Sequence, residues 1–269
     1  MPPAIQIGQL ILAADRALAV LLIAAFMVLA GLIARKLDRM ADQASLWAIG
    51  AGILAARTGY VVKNWEAFAS EPASILAIWQ GGFSLAAGLA GALGAIVLTM
   101  RQKRSAIVLA STALLLSGMY SVGSSLLTPA PRAMPTGIAL QDWAGKTVAL
   151  SKLRGRPYVI NLWASWCLPC RREMPMLVNA ASGSSVPILL VNSGEERTAA
   201  ERFLRANNLP SRSVYLDRAA ALAAETGAAG YPATLFINAA GQIENVHLGE
   251  LSRAILANEL RSLERGGSK

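Results

Sequence analysis

The chain has 269 residues, 54% of them apolar and 15% charged, with a formal net charge of +9. Ordinary soluble domains carry about 25% charged residues, so a single soluble globule is excluded, as are intrinsic disorder and a collagen repeat, and two cysteines cannot staple a disulfide scaffold of this length. Residues 1–130 hold 9 Lys/Arg and 5 Asp/Glu and residues 131–269 hold 16 and 11, so the chain is two physical objects joined near residue 130.

The first object reads as a membrane domain, residues 1–127. A helix needs about 20 mostly apolar residues to cross the hydrocarbon core. Uncharged runs over 17–34, 79–100 and 105–126, and a run over 43–62 interrupted only by Arg57, predict about four transmembrane helices. A soluble bundle would need a charged outer stripe on each helix, and none is visible. Arg35, Lys36 and Arg39 follow the first span, and Arg101, Lys103 and Arg104 follow the third. Because basic residues collect on the cytoplasmic side, both loops are expected there, in a multi-pass protein of the bacterial inner membrane. Everything after about residue 128 is then expected in the periplasm. Asp15 and Arg16 precede the first apolar run and no small-residue cleavage site follows it, so a cleaved signal peptide is not expected.

Gly88, Gly91 and Gly94, with Ala87 and Ala95, recur at the spacing that lets helix backbones approach closely in lipid. Arg57 is costly within a span unless it is paired or reaches an interface. Two readings stand: it snorkels to the headgroup layer, or it serves a site for lipid or a partner.

Ala56-Arg57-Thr58-Gly59-Tyr60-Val61, Trp79-Gln80-Gly81-Gly82-Phe83-Ser84 and Gly88-Leu89-Ala90-Gly91 resemble the amino-terminal part of prolipoprotein diacylglyceryl transferase, over residues 5–120. In that family a functional His follows the Gly-Gly-x-Ser stretch, whereas Ala86, Ala87 and Gly88 stand here and the single His of the chain is His247. The resemblance therefore implies an anchor or docking surface, with membrane lipid as neighbour, and no transferase chemistry.

Residues 128–137, with three prolines, read as an extended tether. Beyond it, residues 138–269 alternate short β-rich runs with helical ones. Strands are predicted at 158–163, 186–191, 213–216, 234–238 and 243–248, and helices at 171–181, 197–207, 219–226 and 251–265. That order implies an α/β domain with a mixed central sheet covered by helices.

The chemistry sits at Trp166-Cys167-Leu168-Pro169-Cys170. Haem attachment needs His after the second Cys, and Arg171 stands there. A structural zinc site needs four ligands, which two Cys and one His cannot supply. A redox dithiol remains, and no metal or cofactor is called for. A strand runs into the motif and a helix out of it, so Cys167 is expected at a helix N-terminus, where free N–H groups and the macrodipole favour a thiolate. Cys170, one turn on, can resolve a mixed disulfide, and Pro169 costs the first turn no hydrogen bond.

Leu150-Ser-Lys-Leu-Arg-Gly-Arg-Pro157, Asn161-Leu-Trp-Ala-Ser-Trp-Cys-Leu-Pro-Cys-Arg-Arg-Glu-Met-Pro175 and Tyr231-Pro232 resemble the TlpA/ResA-type membrane-tethered oxidoreductases of the thioredoxin superfamily. The likeness spans residues 138–265 and implies a thioredoxin-like fold. By the same likeness Pro232 is cis and lies against the dithiol, where the neighbouring backbone can pair with an extended substrate. Thioredoxin carries a buried Asp where Asn161 stands, and Asn161 cannot titrate. Glu173 matches a Glu used near the dithiol in TlpA/ResA-type proteins, which makes it the expected acid/base for Cys170; a solvated carboxylate paired with Arg171 or Arg172 is the other reading. Trp166, Tyr231 and Pro169 are expected to contact substrate, and His247 to sit at a strand-edge surface.

Together these readings describe a membrane-anchored thiol-disulfide oxidoreductase that reduces protein disulfides. Residues 1–166 contain no Cys, so a separate transmembrane electron donor of the DsbD or CcdA kind is expected as partner. Two alternatives are a disulfide-forming oxidase or isomerase and a lipid- or lipoprotein-binding membrane module with an accessory redox domain. The net charge does not indicate nucleic acid, because the arginines are scattered and lack interleaved aromatics.

Overall fold

The structure is a computed structural model that describes residues 4–7, 10–135 and 137–266. Residues 1–3, 8 and 9 of the expected membrane domain, Thr136 of the expected tether and 267–269 of the expected carboxyl-terminal domain lie outside the described residues. The chain falls into two compact units that divide between Thr128 and Pro129.

The amino-terminal unit begins with an antiparallel pair, β1 (Ala4–Ile7) and β2 (Leu10–Ala13), followed by α1 (Ala14–Lys36), α2 (Met40–Lys63), α3 (Trp65–Ala69), α4 (Leu85–Thr99) and α5 (Lys103–Leu127). Helices α1, α2 and α5 are long and apolar enough to cross a membrane. Val20, Leu21 and Val28 of α1, Leu54 of α2, and Leu115 and Val122 of α5 are exposed. Such outward faces suit a lipid neighbour and not water.

The third expected span begins later than its apolar run. Helix α4 has 15 residues, about 22 Å at 1.5 Å per residue, where the hydrocarbon core is about 30 Å. After a 3-10 turn at Ile78–Gln80, residues 81–84 leave the helical path because Gly81 and Gly82 take φ of +80° and +82°, a region open to glycine. Ser84 then caps α4, its Oγ accepting from Ala87 N–H at 3.4 Å. Two of the three glycines face α2. A Cβ at Gly91 would stand 2.5 Å from Ala55 Cβ and 2.8 Å from the Ala51 carbonyl oxygen, and one at Gly88 3.0 Å from Ala56 Cβ; Gly94 has open space.

The carboxyl-terminal unit is a mixed sheet with helices. Its strands are β3 (Arg132–Ala133), β4 (Ala139–Asp142), β5 (Thr147–Ala149), β6 (Tyr158–Trp163), β7 (Ile188–Ser193), β8 (Val214–Asp217), β9 (Ala233–Ile237) and β10 (Gln242–Leu248), and its helices are α6 (Leu168–Gly183), α7 (Arg197–Ala206), α8 (Ala221–Thr226) and α9 (Arg253–Gly266). The sheet order is β3-β10-β9-β6-β7-β8-β4-β5. Strands β6, β7 and β8 run parallel, while β9 is antiparallel to β6. Central strand β6 is buried along its whole length. Its pleat sends Val159 and Trp163 to one core, with Met174 and Leu177 of α6, and Tyr158, Ile160 and Leu162 to the other.

Part of the expected tether is built into this sheet. Arg132 and Ala133 pair with β10, Met134 is 4% exposed in the second core, and an Arg132 Nη2 hydrogen bond reaches the Thr226 carbonyl. Strands β4 and β5 are additions to the predicted set. They are short and cover the β8 edge, where alternation over three or four residues gives little periodic signal.

Candidate functional site

Strand β6 ends at Trp163, and the chain turns through Ala164, Ser165 and Trp166 into α6. Cys167 is the N-cap, with φ −80° and ψ 108°, and its Sγ accepts from Cys170 N–H at 3.3 Å. Cys167 and Cys170 are joined as a disulfide, 5.3 Å apart at Cα. Pro169 lies in the first turn. Both sulfur-bearing residues are buried, whereas the neighbouring Trp166 and Leu168 are 67% and 64% exposed. The dithiol thus sits beneath an apolar lip.

That lip includes a residue from a distant stretch of the chain. Tyr231 stands edge-on to Trp166 with ring centroids 5.9 Å apart, and its Oη donates to Ser193 Oγ at 2.9 Å. The Tyr231–Pro232 bond is cis, as the resemblance implies. Pro232 is buried and leads into β9.

Beneath the first turns of α6 lies Glu173, 3% exposed. Its Oε1 accepts from Asn161 Nδ2 at 2.8 Å and its Oε2 from Leu251 N–H at 2.7 Å. Asn161 also donates to Thr234 Oγ1 at 3.0 Å. The pleat explains this meeting, since Asn161 shares the α6-facing side of β6 with Val159 and Trp163, and Thr234 is its register partner on β9. Burial pushes the Glu173 carboxyl up to about 8, against the smaller opposing pull of the Leu251 and Asn161 hydrogen bonds. The reading of Glu173 as a solvated carboxylate paired with Arg171 or Arg172 does not describe this geometry. Arg172 pairs with Glu250 instead, at 2.5 Å, and the Arg171 guanidinium lies over the Phe203 ring at 5.6 Å.

Sequence reasoning passed over Glu195. Its Oε2 accepts from Ser165 N–H at 2.6 Å and from Asn192 Nδ2 at 2.7 Å, and its Oε1 from Ser165 Oγ at 2.6 Å. A carboxylate in the loop after β7 therefore fixes the turn that delivers Cys167. No local pattern marks it, because Ser165, the donor of two of its three hydrogen bonds, lies 30 residues away. His247 is half-buried on β10, with Nε2 3.3 Å from the Glu250 carbonyl oxygen.

Residues 129–262 match the Redoxin family model, and residues 4–123 match that of prolipoprotein diacylglyceryl transferase. The thiol:disulfide interchange protein DsbE of Pseudomonas fluorescens biotype C is 33% identical over 115 residues, 43% of this chain; the chain spans 64% of that relative's length. The thiol-disulfide oxidoreductase ResA of Halalkalibacterium halodurans is 30% identical over 120 residues, 44% of this chain and 68% of that protein. The chain belongs to the ResA-type thiol-disulfide oxidoreductases. ResA of Bacillus subtilis is 29% identical over 132 residues, 47% of this chain and 72% of that protein. In this ResA-type chain the matched half carries the dithiol and Glu173 together, and the transferase-like half carries Arg57.

Arg57 of α2 is buried against backbone carbonyls. It is 6% exposed. Nε donates to the Ile75 carbonyl at 2.9 Å, Nη1 to Gly81 and Gly82 at 2.6 and 3.1 Å, and Nη2 to Ser74 and Ala77 at 2.7 and 3.5 Å. A guanidinium has five N–H donors, and all five are spent on backbone carbonyls. The Phe68 and Phe83 rings lie 5.2 and 5.9 Å from its Cζ. Arg57 thereby ties the 72–84 segment to α2.

Proposed function

We propose that the chain is a membrane-anchored, periplasmic reductant of protein disulfides. The observation that supports this most directly is the Cys167 Sγ placed at the N-terminus of α6, accepting from the Cys170 N–H at 3.3 Å. In the reduced protein the same N–H and the helix dipole stabilise a Cys167 thiolate. That thiolate attacks one sulfur of a client disulfide, forming a mixed disulfide and releasing one client thiolate. Cys170 then loses its proton to Glu173 and attacks the Cys167 sulfur. The second client thiolate leaves, and the Cys167–Cys170 disulfide of this structure is the oxidised product. A carboxyl that titrates near 8 exchanges protons in either direction close to neutral pH. Trp166 and Tyr231 supply the apolar surface beside the sulfurs, and the Tyr231 backbone, next to Pro232, supplies an edge for an extended client segment.

Two electrons must be returned per cycle. With no Cys in residues 1–166, the helices cannot relay them by thiol exchange, so the proposed donor is a separate transmembrane reductase of the DsbD or CcdA kind. The basic loops at 35–39 and 101–104 support a cytoplasmic placement for those turns and a periplasmic one for the dithiol.

The test is capture of clients in the membrane of living cells. A Cys170→Ser chain is expected to accumulate mixed disulfides, and a Cys167→Ser chain few; equal capture by both overturns the assignment of roles. Direction is read from the reduction potential, near about −270 mV for a reductant and about −120 mV for a disulfide-forming oxidase. The reading in which Arg57 binds a lipid phosphate has no N–H donor left to support it.

A further inference from the structure

The segment after β10 is stitched to the site at three consecutive residues. Gly249, at φ +92°, donates its N–H to the Pro232 carbonyl at 2.9 Å. Glu250 receives Arg172 Nε and Nη2 on a single oxygen, Oε2, at 2.8 and 2.5 Å. Leu251 N–H reaches Glu173 Oε2 at 2.7 Å. Residues 172 and 173 of α6 therefore meet 250 and 251 in step. The Glu250 side chain is 7% exposed, and that of Arg172 is 53% exposed. A carboxylate that is buried but not used in the chemistry is costly unless it is paired, so the pair calls for a function.

We propose that the Arg172–Glu250 ion pair is a positioning clamp, which holds residues 249–251 across the start of α6 so that the Leu251 N–H stays on the carboxylate that exchanges a proton with Cys170. The inference rests on Glu173 being that proton carrier. Glu250 acts on Glu173 in two opposing ways. Its negative charge disfavours ionised Glu173, whereas the N–H that its clamp delivers favours it, and the hydrogen bond is the larger of the two effects. The other groups acting on Glu173 are Arg172 on α6 and the neutral Asn161 of β6, with Thr234 of β9 behind it; His247 of β10 reaches the Glu250 carbonyl.

These opposing signs make the clamp testable. In the full chain, solubilised and labelled with carboxyl-13C glutamate, the Glu173 resonance is assigned by its loss in Glu173→Gln and titrated in Glu250→Met. The expected result is an upward move of its midpoint by about half a pH unit or more, the size of a lost hydrogen bond to a carboxylate, with faster hydrogen exchange at the Leu251 amide. A downward or unchanged midpoint overturns the clamp, since Glu250 would then act only as a nearby charge or not at all. Glu250→Gln is expected to move the midpoint the same way by less, and serves where the Met variant folds poorly. If Glu173→Gln leaves the pH dependence of client reduction unchanged, the proton-carrier reading fails, while the titration in Glu250→Met still reports the clamp.

Discussion

Asn161 donates Nδ2–H to Glu173 Oε1 at 2.8 Å, between the central strand β6 and helix α6. The residue that resembles thioredoxin's buried Asp in position is thus an amide that supports a carboxylate from the neighbouring helix. The hydrogen bond orients that buried carboxyl without adding a second negative charge beside it. The acidity of Glu173 is thereby tied to stability.

Glu173 holds its proton up to about pH 8 in the folded chain, whereas its ordinary value is 4.5. Between those values the folded chain binds more protons than the unfolded one. Its contribution to stability is therefore complete below about 4.5 and is lost as pH rises through about 8, by about 1.4 kcal/mol per pH unit in that window. Thermal unfolding of the carboxyl-terminal unit, followed by near-ultraviolet dichroism in the detergent-solubilised chain, should show this decline, and Glu173→Gln should flatten it. An equal slope in both proteins would refute the assignment.

Glu195 accepts three hydrogen bonds, two of them from Ser165. In Glu195→Gln the amide nitrogen meets donors where the carboxylate met them, so at least one charge-assisted bond is lost, at a cost of about 1–3 kcal/mol. The turn before Cys167 should loosen, and alkylation of the reduced Cys167 should shift to higher pH as the thiolate becomes less well held. Mass spectrometry of iodoacetamide labelling against pH measures the shift, and a wild-type profile would count against a positioning role for Glu195.

Arg57→Lys keeps the charge but offers three donors in place of five. The carbonyls of Ser74, Ile75, Ala77, Gly81 and Gly82 cannot all be satisfied by one ammonium. Hydrogen exchange over residues 72–84 is expected to rise about tenfold or more, a loss of about 1.4 kcal/mol or more of local stability, while disulfide reduction by the other unit is unchanged. Unaltered exchange would mean that the segment holds its shape without the guanidinium.

Gly91 and Gly94 lie one turn apart on α4 and should differ sharply. A Cβ at Gly91 would stand 2.5 Å from Ala55 Cβ, and Gly94 has nothing within 4 Å. Gly91→Val is expected to separate α2 from α4 and to lower the melting temperature of the solubilised chain. Gly94→Val should leave it within a degree or two, the scatter of a surface change of about 0.5 kcal/mol. Matching effects at the two positions would show that α4 packs differently.

The amino-acid sequence by itself determined the division into an apolar and a polar half, the long helices, the strand-to-helix placement of Cys167 and Cys170, and the α/β order around them. Those features are local, because apolar periodicity and charge-free length are properties of neighbouring residues. Tertiary structure alone decided the state of Glu173, whose partners Asn161 and Leu251 lie 12 and 78 residues away, and the pairing of Arg172 with Glu250 in place of Glu173. It likewise decided that Arg57 spends its donors on carbonyls 17 to 25 residues on, and that Glu195 serves Ser165. Polar atoms removed from water take whatever donor or acceptor the folded chain brings within reach, and which one arrives depends on strand register and loop closure, which no window of neighbouring residues contains.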